Sequence, residues 1–329
     1  MRSAVLRKPA RDARQQRVSG TVELPAPVGG LNARDSIAQM KETDAIILDN
    51  YVCTTTDVAA RDGYAEYATG IAGKVRSLIV YNANSGGSQM FAASGPNIYD
   101  STDPGAIGAP VVTGATSDKW QYINFATSGG TFIQIVNGSD APYNYDGSTW
   151  NNPIITGVTP SDIININVFK SRIWYILKSS LTAAYLPATQ IAGAASIFDL
   201  RPIFKGGGYL VAMATWTVDG GIGIDDYAAF ITSEGEVAVY QGTDPASAST
   251  FALRGVYQVG NPIGYRCADK YGGDVVLITR DGLAPLSKAI VTDRFNNRYT
   301  LTDKINQRDR KSTRLNSSHI QKSRMPSSA

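Results

Sequence analysis

Residues 226–245 read DYAAFITSEGEVAVYQGTDP, and the order of residue types in them sets the plan for most of the chain. An apolar run from Ala228 to Ile231 meets the polar turn Ser233, Glu234, Gly235, and an alternating run from Glu236 to Tyr240 leads back. This is the pattern of a β-hairpin. A three-residue connection ending in Gly suits a type I turn closed by a left-handed residue, which Gly adopts with no Cβ to clash.

The same plan returns at residues 90–100 (MFAASGPNIYD), 132–146 (FIQIVNGSDAPYNYD) and 274–288 (DVVLITRDGLAPLSK), and more loosely at 172–187. Taking the turn glycines as markers, Gly95 and Gly138 lie 43 residues apart and Gly235 and Gly282 lie 47 apart. Gly138 and Gly235 are 97 apart, two periods around the looser copy. A period of this size is what a four-stranded propeller blade needs and is longer than a solenoid coil. The fold class expected is therefore all-β, a β-propeller of four-stranded blades with a short mixed N-terminal segment; a β-sandwich whose hairpins merely look alike is the competing arrangement. Pro96, Pro142 and Pro285 follow the turns, and a missing N–H is tolerated at a sheet edge, so the returning strand is expected to be the outer one of each blade. The middle strands are expected at 77–81, 122–125, 163–169, 210–217 and 254–259.

With 329 residues, 43% hydrophobic content, 32 Gly and 17 Tyr, the chain is globular in composition. Its longest apolar runs are a few residues, so no membrane span is expected, and the basic start MRSAVLRKPARDARQQR is not followed by the apolar core of a secretory signal. Cys53 and Cys267 are too far apart in sequence to suggest a disulfide framework, and the one histidine is His319, so the common zinc patterns are absent.

The net charge of +3 is unevenly placed: residues 1–17 hold +5 and residues 309–329 hold +4, which leaves −6 for residues 18–308. An acidic body argues against a protein that grips nucleic acid, because neutralising phosphates takes a basic surface. The expected organisation is a flexible basic arm at 1–20, a segment at 21–70 with helical turns at 35–40 and 42–50 and a first strand at 58–64, the propeller region at 71–308, and a tail at 309–329. That tail begins DRKSTRLNSSH and resembles a translated sequencing adapter, so the natural chain is expected to continue past Arg308 and the propeller to be incomplete here.

Several strings are distinctive together: Ala26 to Asn32 (APVGGLN), Arg34-Asp35-Ser36, Leu48-Asp49-Asn50, Arg61-Asp62-Gly63-Tyr64, Val136-Asn137-Gly138, Tyr145-Asp146-Gly147-Ser148, Thr215 to Gly221, Gly235 to Gly242 and Arg280-Asp281-Gly282. With these the chain resembles, over about residues 24–304, a family of tail tubular or nozzle-like virion structural proteins of short-tailed phages. The resemblance implies a non-enzymatic virion component of the tail or neck, assembled in the host cytoplasm. It implies a homo-oligomeric ring, neighbouring tail or portal-adaptor proteins, and transient passage of double-stranded DNA without specific binding during ejection. An acidic lumen suits a conduit, since it avoids counterion-releasing contacts with the duplex.

Asp219, Asp225 and Asp226 surround a glycine-rich loop, a hard-oxygen set suited to Ca²⁺, but without EF-hand order they are weak metal candidates beside a solvated connecting loop. No cofactor is expected. Asp146-Gly147-Ser148-Thr149-Trp150 is similar to the Asp box of sialidase-type propellers with altered spacing, and that box is structural. A glycan-binding or glycan-cleaving tail protein is the alternative function, for which Asp62, Glu234 and Asp281 are carboxylates in hairpin turns. Trp120, Trp150, Trp174 and Trp216 fall about one per blade and read as packing between blades, with a carbohydrate platform as the sharper use. No GxSxG, P-loop or dinucleotide fingerprint occurs, and no catalytic residue is expected.

Overall fold

The computed structural model describes residues 23–84, 87–219, 224–291 and 300–306, without the side chains of 216–219, 224–225 and 289–291. The basic arm at 1–20, the tail at 309–329 and His319 lie outside the described residues. The chain divides into two compact units, Met1–Asp62 and Gly63–Ala329.

In the first unit β1 (Gly30–Leu31) pairs in parallel with β2 (Asp44–Ala45), and β3 (Tyr51–Cys53) pairs antiparallel with β4 (Val58–Ala60). At 35–40 a single hydrogen-bonded turn forms, Gln39 donating its N–H to the Ser36 carbonyl at 2.9 Å, but it does not grow into a helix, and no helix forms at 42–50. Gly29 donates its N–H to the Thr43 carbonyl and Asn32 donates to Ala45, which draws 43–45 into an extended ladder. Asp35, expected as a helix cap, instead accepts from Asn32 Nδ2 at 2.9 Å and Arg34 Nε at 2.8 Å. The strand expected at 58–64 ends at Ala60.

The second unit is a five-blade β-propeller. It opens with β5 (Ala68–Thr69), followed by blade one, made of β6 (Ser77–Tyr81), β7 (Gln89–Ser94) and β8 (Asn97–Asp100). β9 (Gly105–Ala106) then pairs in parallel with β5. Blade two is β10 (Gln121–Thr127), β11 (Gly130–Val136), β12 (Tyr143–Tyr145) and β13 (Trp150–Asn151). After β14 (Ile155–Thr156) comes blade three: β15 (Ile163–Phe169), β16 (Arg172–Leu177) and β17 (Thr182–Tyr185), then β18 (Gly193–Ala194), which pairs with β14, and β19 (Ser196–Asp199) as the blade's fourth strand. Blade four is β20 (Leu210–Asp219), β21 (Ile224–Thr232), β22 (Glu236–Gly242) and β23 (Phe251–Gln258). Blade five is β24 (Ala268–Tyr271), β25 (Asp274–Thr279) and β26 (Gly282–Pro285), followed by the short helix α1 (Leu286–Val291).

Each of the five repeated hairpins is the second and third strand of one blade. Gly235 closes the β21–β22 turn at φ +82, and a Cβ there would sit against the carbonyl oxygen of Val259. The strands read from sequence as middle ones are the innermost: 77–81, 122–125, 163–169 and 210–217 fall on β6, β10, β15 and β20. Residues 254–259 belong instead to β23, the outermost strand of blade four, and the innermost strand of blade five is β24. The returning strand is the outer one in the three-stranded sheets of blades one and five, as expected, and third in blades two to four, with β13, β19 and β23 outside it. Pro96 lies in the β7–β8 turn and Pro142 precedes β12, so neither needs an edge, while Pro285 ends β26, the outer strand of the three-stranded blade five, as expected.

Blade four explains why its first run is apolar without alternation. Ala228 and Phe230 face a core shared with blade three, while Ala229 and Ile231 face a core shared with blade five. A strand buried on both faces has no side to leave polar. In the same way Ile173 and Tyr175 of β16 face blade two while Trp174 and Ile176 face blade four. Four apolar cores thus join consecutive blades, one to two, two to three, three to four and four to five. Among the described residues no such core joins five to one. There Arg266 Nη1 donates to the Arg76 carbonyl and to Ser77 Oγ, both at 3.0 Å. No helix among the described residues is long and apolar enough to cross a membrane.

Candidate functional site

The innermost strands β10, β15, β20 and β24 line a space along the propeller axis, and side-chain amides stitch those strands together. Neighbouring inner strands do not share a hydrogen-bonded ladder, so their facing N–H and C=O groups need other partners. Asn124 supplies them between blades two and one: its Nδ2 donates to the Val80 carbonyl and its Oδ1 accepts from Asn82 N, each at 2.9 Å. Between blades three and four, Asn165 Oδ1 accepts from Met213 N at 3.0 Å and Asn167 Nδ2 donates to the Met213 carbonyl at 2.9 Å. Gln121 ties blade two to blade three, donating to the Ile164 carbonyl at 2.6 Å and accepting from Asn165 Nδ2 at 2.5 Å. The same Nε2 also reaches the Tyr265 carbonyl before blade five at 3.2 Å.

Among the described residues, two cavities lie along this axis. One of about 250 Å³ is lined by Gln121, Asn165, Asn167, Thr215, Asp269 and Lys270 among others. The second, about 460 Å³, shares Gln121 and is lined by Lys119, Tyr265 and Arg266 from the segments before β10 and β24 and by Lys178 from the β16–β17 turn. The amides of the narrower cavity are engaged in the stitching, which leaves Tyr122, Thr215, Asp269 and Lys270 as its other polar side chains.

None of these amides stood out in the sequence. The signal was present, since Ile123-Asn124-Phe125 and Ile166-Asn167-Val168 place an Asn between apolar residues 43 positions apart, one repeat period. In a strand reading, a polar residue at an alternate position is simply the solvent face.

The metal candidates fall on the β20–β21 hairpin, where Asp219 pairs with Ile224, Val218 with Asp225 and Thr217 with Asp226. The side chains of Asp219 and Asp225 lie outside the described residues, and Asp226 forms an ion pair with Lys170 at 2.5 Å. Among the described residues no group of three metal-ligating side chains occurs. Glu234 and Asp281 occupy the turns of the β21–β22 and β25–β26 hairpins and line neither cavity. Asp62 ends the first unit.

Of the tryptophans, Trp120 is buried against Tyr143, and Trp150 packs on Phe91 and Tyr145. Trp174, 1% exposed, sits among Tyr185, Phe198, Phe230 and Phe251. The side chain of Trp216 is not among those described.

Asp146 forms the turn between β12 and β13. Its Oδ1 accepts from the N–H of Thr149 at 2.7 Å and of Ser148 at 2.8 Å, and the two side-chain hydroxyls add to them. Those backbone donors hold the carboxyl down at about 2. A depressed carboxylate stabilises the fold above its ordinary value of 3.8, and that contribution is lost as pH falls toward about 2. Because Asp146 is exposed, Asp146→Ala is expected to cost only about 1 kcal/mol at neutral pH. Thermal unfolding of the two proteins should differ at pH 7 and converge near pH 2.

Cys267 is fully buried in the core between blades four and five, and burial pushes its thiol up to about 11. It is an inert core residue in this state. Iodoacetamide followed by peptide mass analysis should find Cys267 unmodified in the native protein and labelled in denaturant, while Cys53, half-buried and donating to the Pro27 carbonyl at 3.3 Å, should label first.

No family model matches the chain and no curated protein does. Solved structures similar to it include BBS1N in complex with ARL6DN, soaked with lead, at 15% identity and a TM-score of 0.43 over 70% of this chain and 69% of that one. The mercury-soaked form of that complex gives 14% and 0.43 over 64% and 63%. YCF48 bound to D1 peptide is 10% identical with a TM-score of 0.32 over 68% of this chain and 82% of that one.

Proposed function

We propose that the protein is a phage virion structural component of the tail or neck, a ring-forming nozzle or tail-tube subunit with no catalytic role. The observation that carries this reading is where the strings of the family resemblance fall. Asn32 holds Asp35 and Asp44 through its Nδ2 while its Oδ1 accepts from the N–H groups of Arg34 and Asp35. Asn137 accepts from Ser139 and Asp140 in the turn after β11, and Asp146 and Gly235 close hairpins. The strings are spent on turns and buried webs, the parts that shape a protein. In addition, the three described tryptophans pack on neighbouring aromatic side chains, which gives them a use other than a sugar platform.

The axis of a single propeller is not the DNA route in this reading. A duplex about 20 Å across takes up about 1,000 Å³ per base pair, against a cavity of about 250 Å³ between the inner strands. The route is the hole enclosed by several copies, which closed symmetry provides without any one subunit gripping the duplex. Quantitative mass spectrometry of purified particles from the phage that encodes this chain tests the reading. Several copies per particle, in fixed ratio to the portal protein, are expected. Absence from the particle, or release of sugar from host surface glycan by the purified protein, contradicts it.

A further inference from the structure

We infer that the wider cavity at the mouth of the propeller axis is a binding site for a compact oxyanion of three or more negative charges, a polyphosphate or a polycarboxylate. Its volume of about 460 Å³ lies in the range of small-molecule sites. Three cationic side chains, Lys119, Lys178 and Arg266, line it together with the hydroxyls of Ser117, Ser139 and Tyr265, and no carboxylate does. Such a cluster is unlike its surroundings, because residues 18–308 carry a net −6.

The carboxylates nearest in sequence are committed elsewhere. Asp118 accepts from Gly95 N at 2.9 Å and faces Arg76 at 3.5 Å. Asp140 is held by Thr116 and Asn137; burial works to raise its carboxyl, and the four hydrogen bonds from Thr116, Asn137 and Ser117 leave it below its ordinary value. Lys119 and Lys178 are exposed and have no ion-pair partner among the described residues. Arg266, which also lines the cavity, has hydrogen bonds to blade one through Nη1, one of the three nitrogens of its guanidinium. A concave site that offers donors and positive charge together favours an anion with several oxygens over a single carboxylate, and low-dielectric walls strengthen that attraction.

Calorimetric titration of the whole protein with tripolyphosphate, and separately with citrate, at about 0.15 M salt tests the site. Saturable binding of at least one of them at one site per chain is expected. Lys119→Glu with Lys178→Glu should weaken it about tenfold or more, while Lys205→Glu, exposed and outside the cavity lining, leaves it unchanged. An unchanged melting temperature without ligand shows that the double variant is folded; if it is not, the single variants are titrated instead. No saturable binding of either anion, or equal binding by the folded charge-reversed protein, overturns the proposal. So does binding of a short DNA duplex that tripolyphosphate does not displace, which would assign the cations to a nucleic-acid surface.

Discussion

Trp174→Ala should lower the unfolding free energy by about 3–5 kcal/mol, a cost typical of an aromatic side chain removed from a core. Trp174 is the largest fully buried side chain of the unit, and it touches residues of blades three and four at once. The loss is one of packing, since its indole N–H has no hydrogen-bond partner to forfeit. At this size of domain the melting temperature should fall by about 10 °C. Trp174→Phe should recover most of the loss, because it restores an aromatic ring between Phe230 and Phe251. Denaturant melts of the three proteins provide the check. Trp150→Ala should cost less, because Trp150 is only half-buried at the edge of blade two.

The second large effect is electrostatic in origin. Asn165→Leu keeps the volume of a buried side chain and removes both of its bonds, orphaning Met213 N–H and Gln121 Oε1. Each orphaned buried group costs about 1–3 kcal/mol. Since water in the axial cavity can reach part of this site, the lower end of the sum applies, about 2 kcal/mol. Amide exchange separates stitching from simple packing: Met213 N–H should exchange faster in Asn165→Leu while the β21–β22 ladder keeps its protection. Equal acceleration across the whole blade would mean that Asn165 merely fills space.

How far the sequence could be read depended on what each strand faces. Runs buried on both faces, such as Ala228 to Ile231, were legible because nothing polar interrupts them, and the five hairpins followed from that. Outer strands were harder, because β13 is two residues long and β19 reads SIFD with most of it exposed. The longest of them, β23, therefore reads in sequence like the middle of the next blade. The inner strands were found but misplaced by one position, because Asn124, Asn165 and Asn167 look like a solvent face and in fact face the neighbouring blade. In the first unit, Asp35 and Ser36 carried a capping signal that the Asn32 web and the parallel β1–β2 pair overrode. The axial cavities were not legible at all, since Lys119, Lys178 and Arg266 come from three separate loops of different blades.

The most direct test of the proposed ring is electron microscopy of the purified protein. Rings with a central hole of about 20 Å or more, wide enough for a DNA duplex, are the expected result. Monodisperse single propellers at all concentrations, with no ring in the particle, would contradict the account.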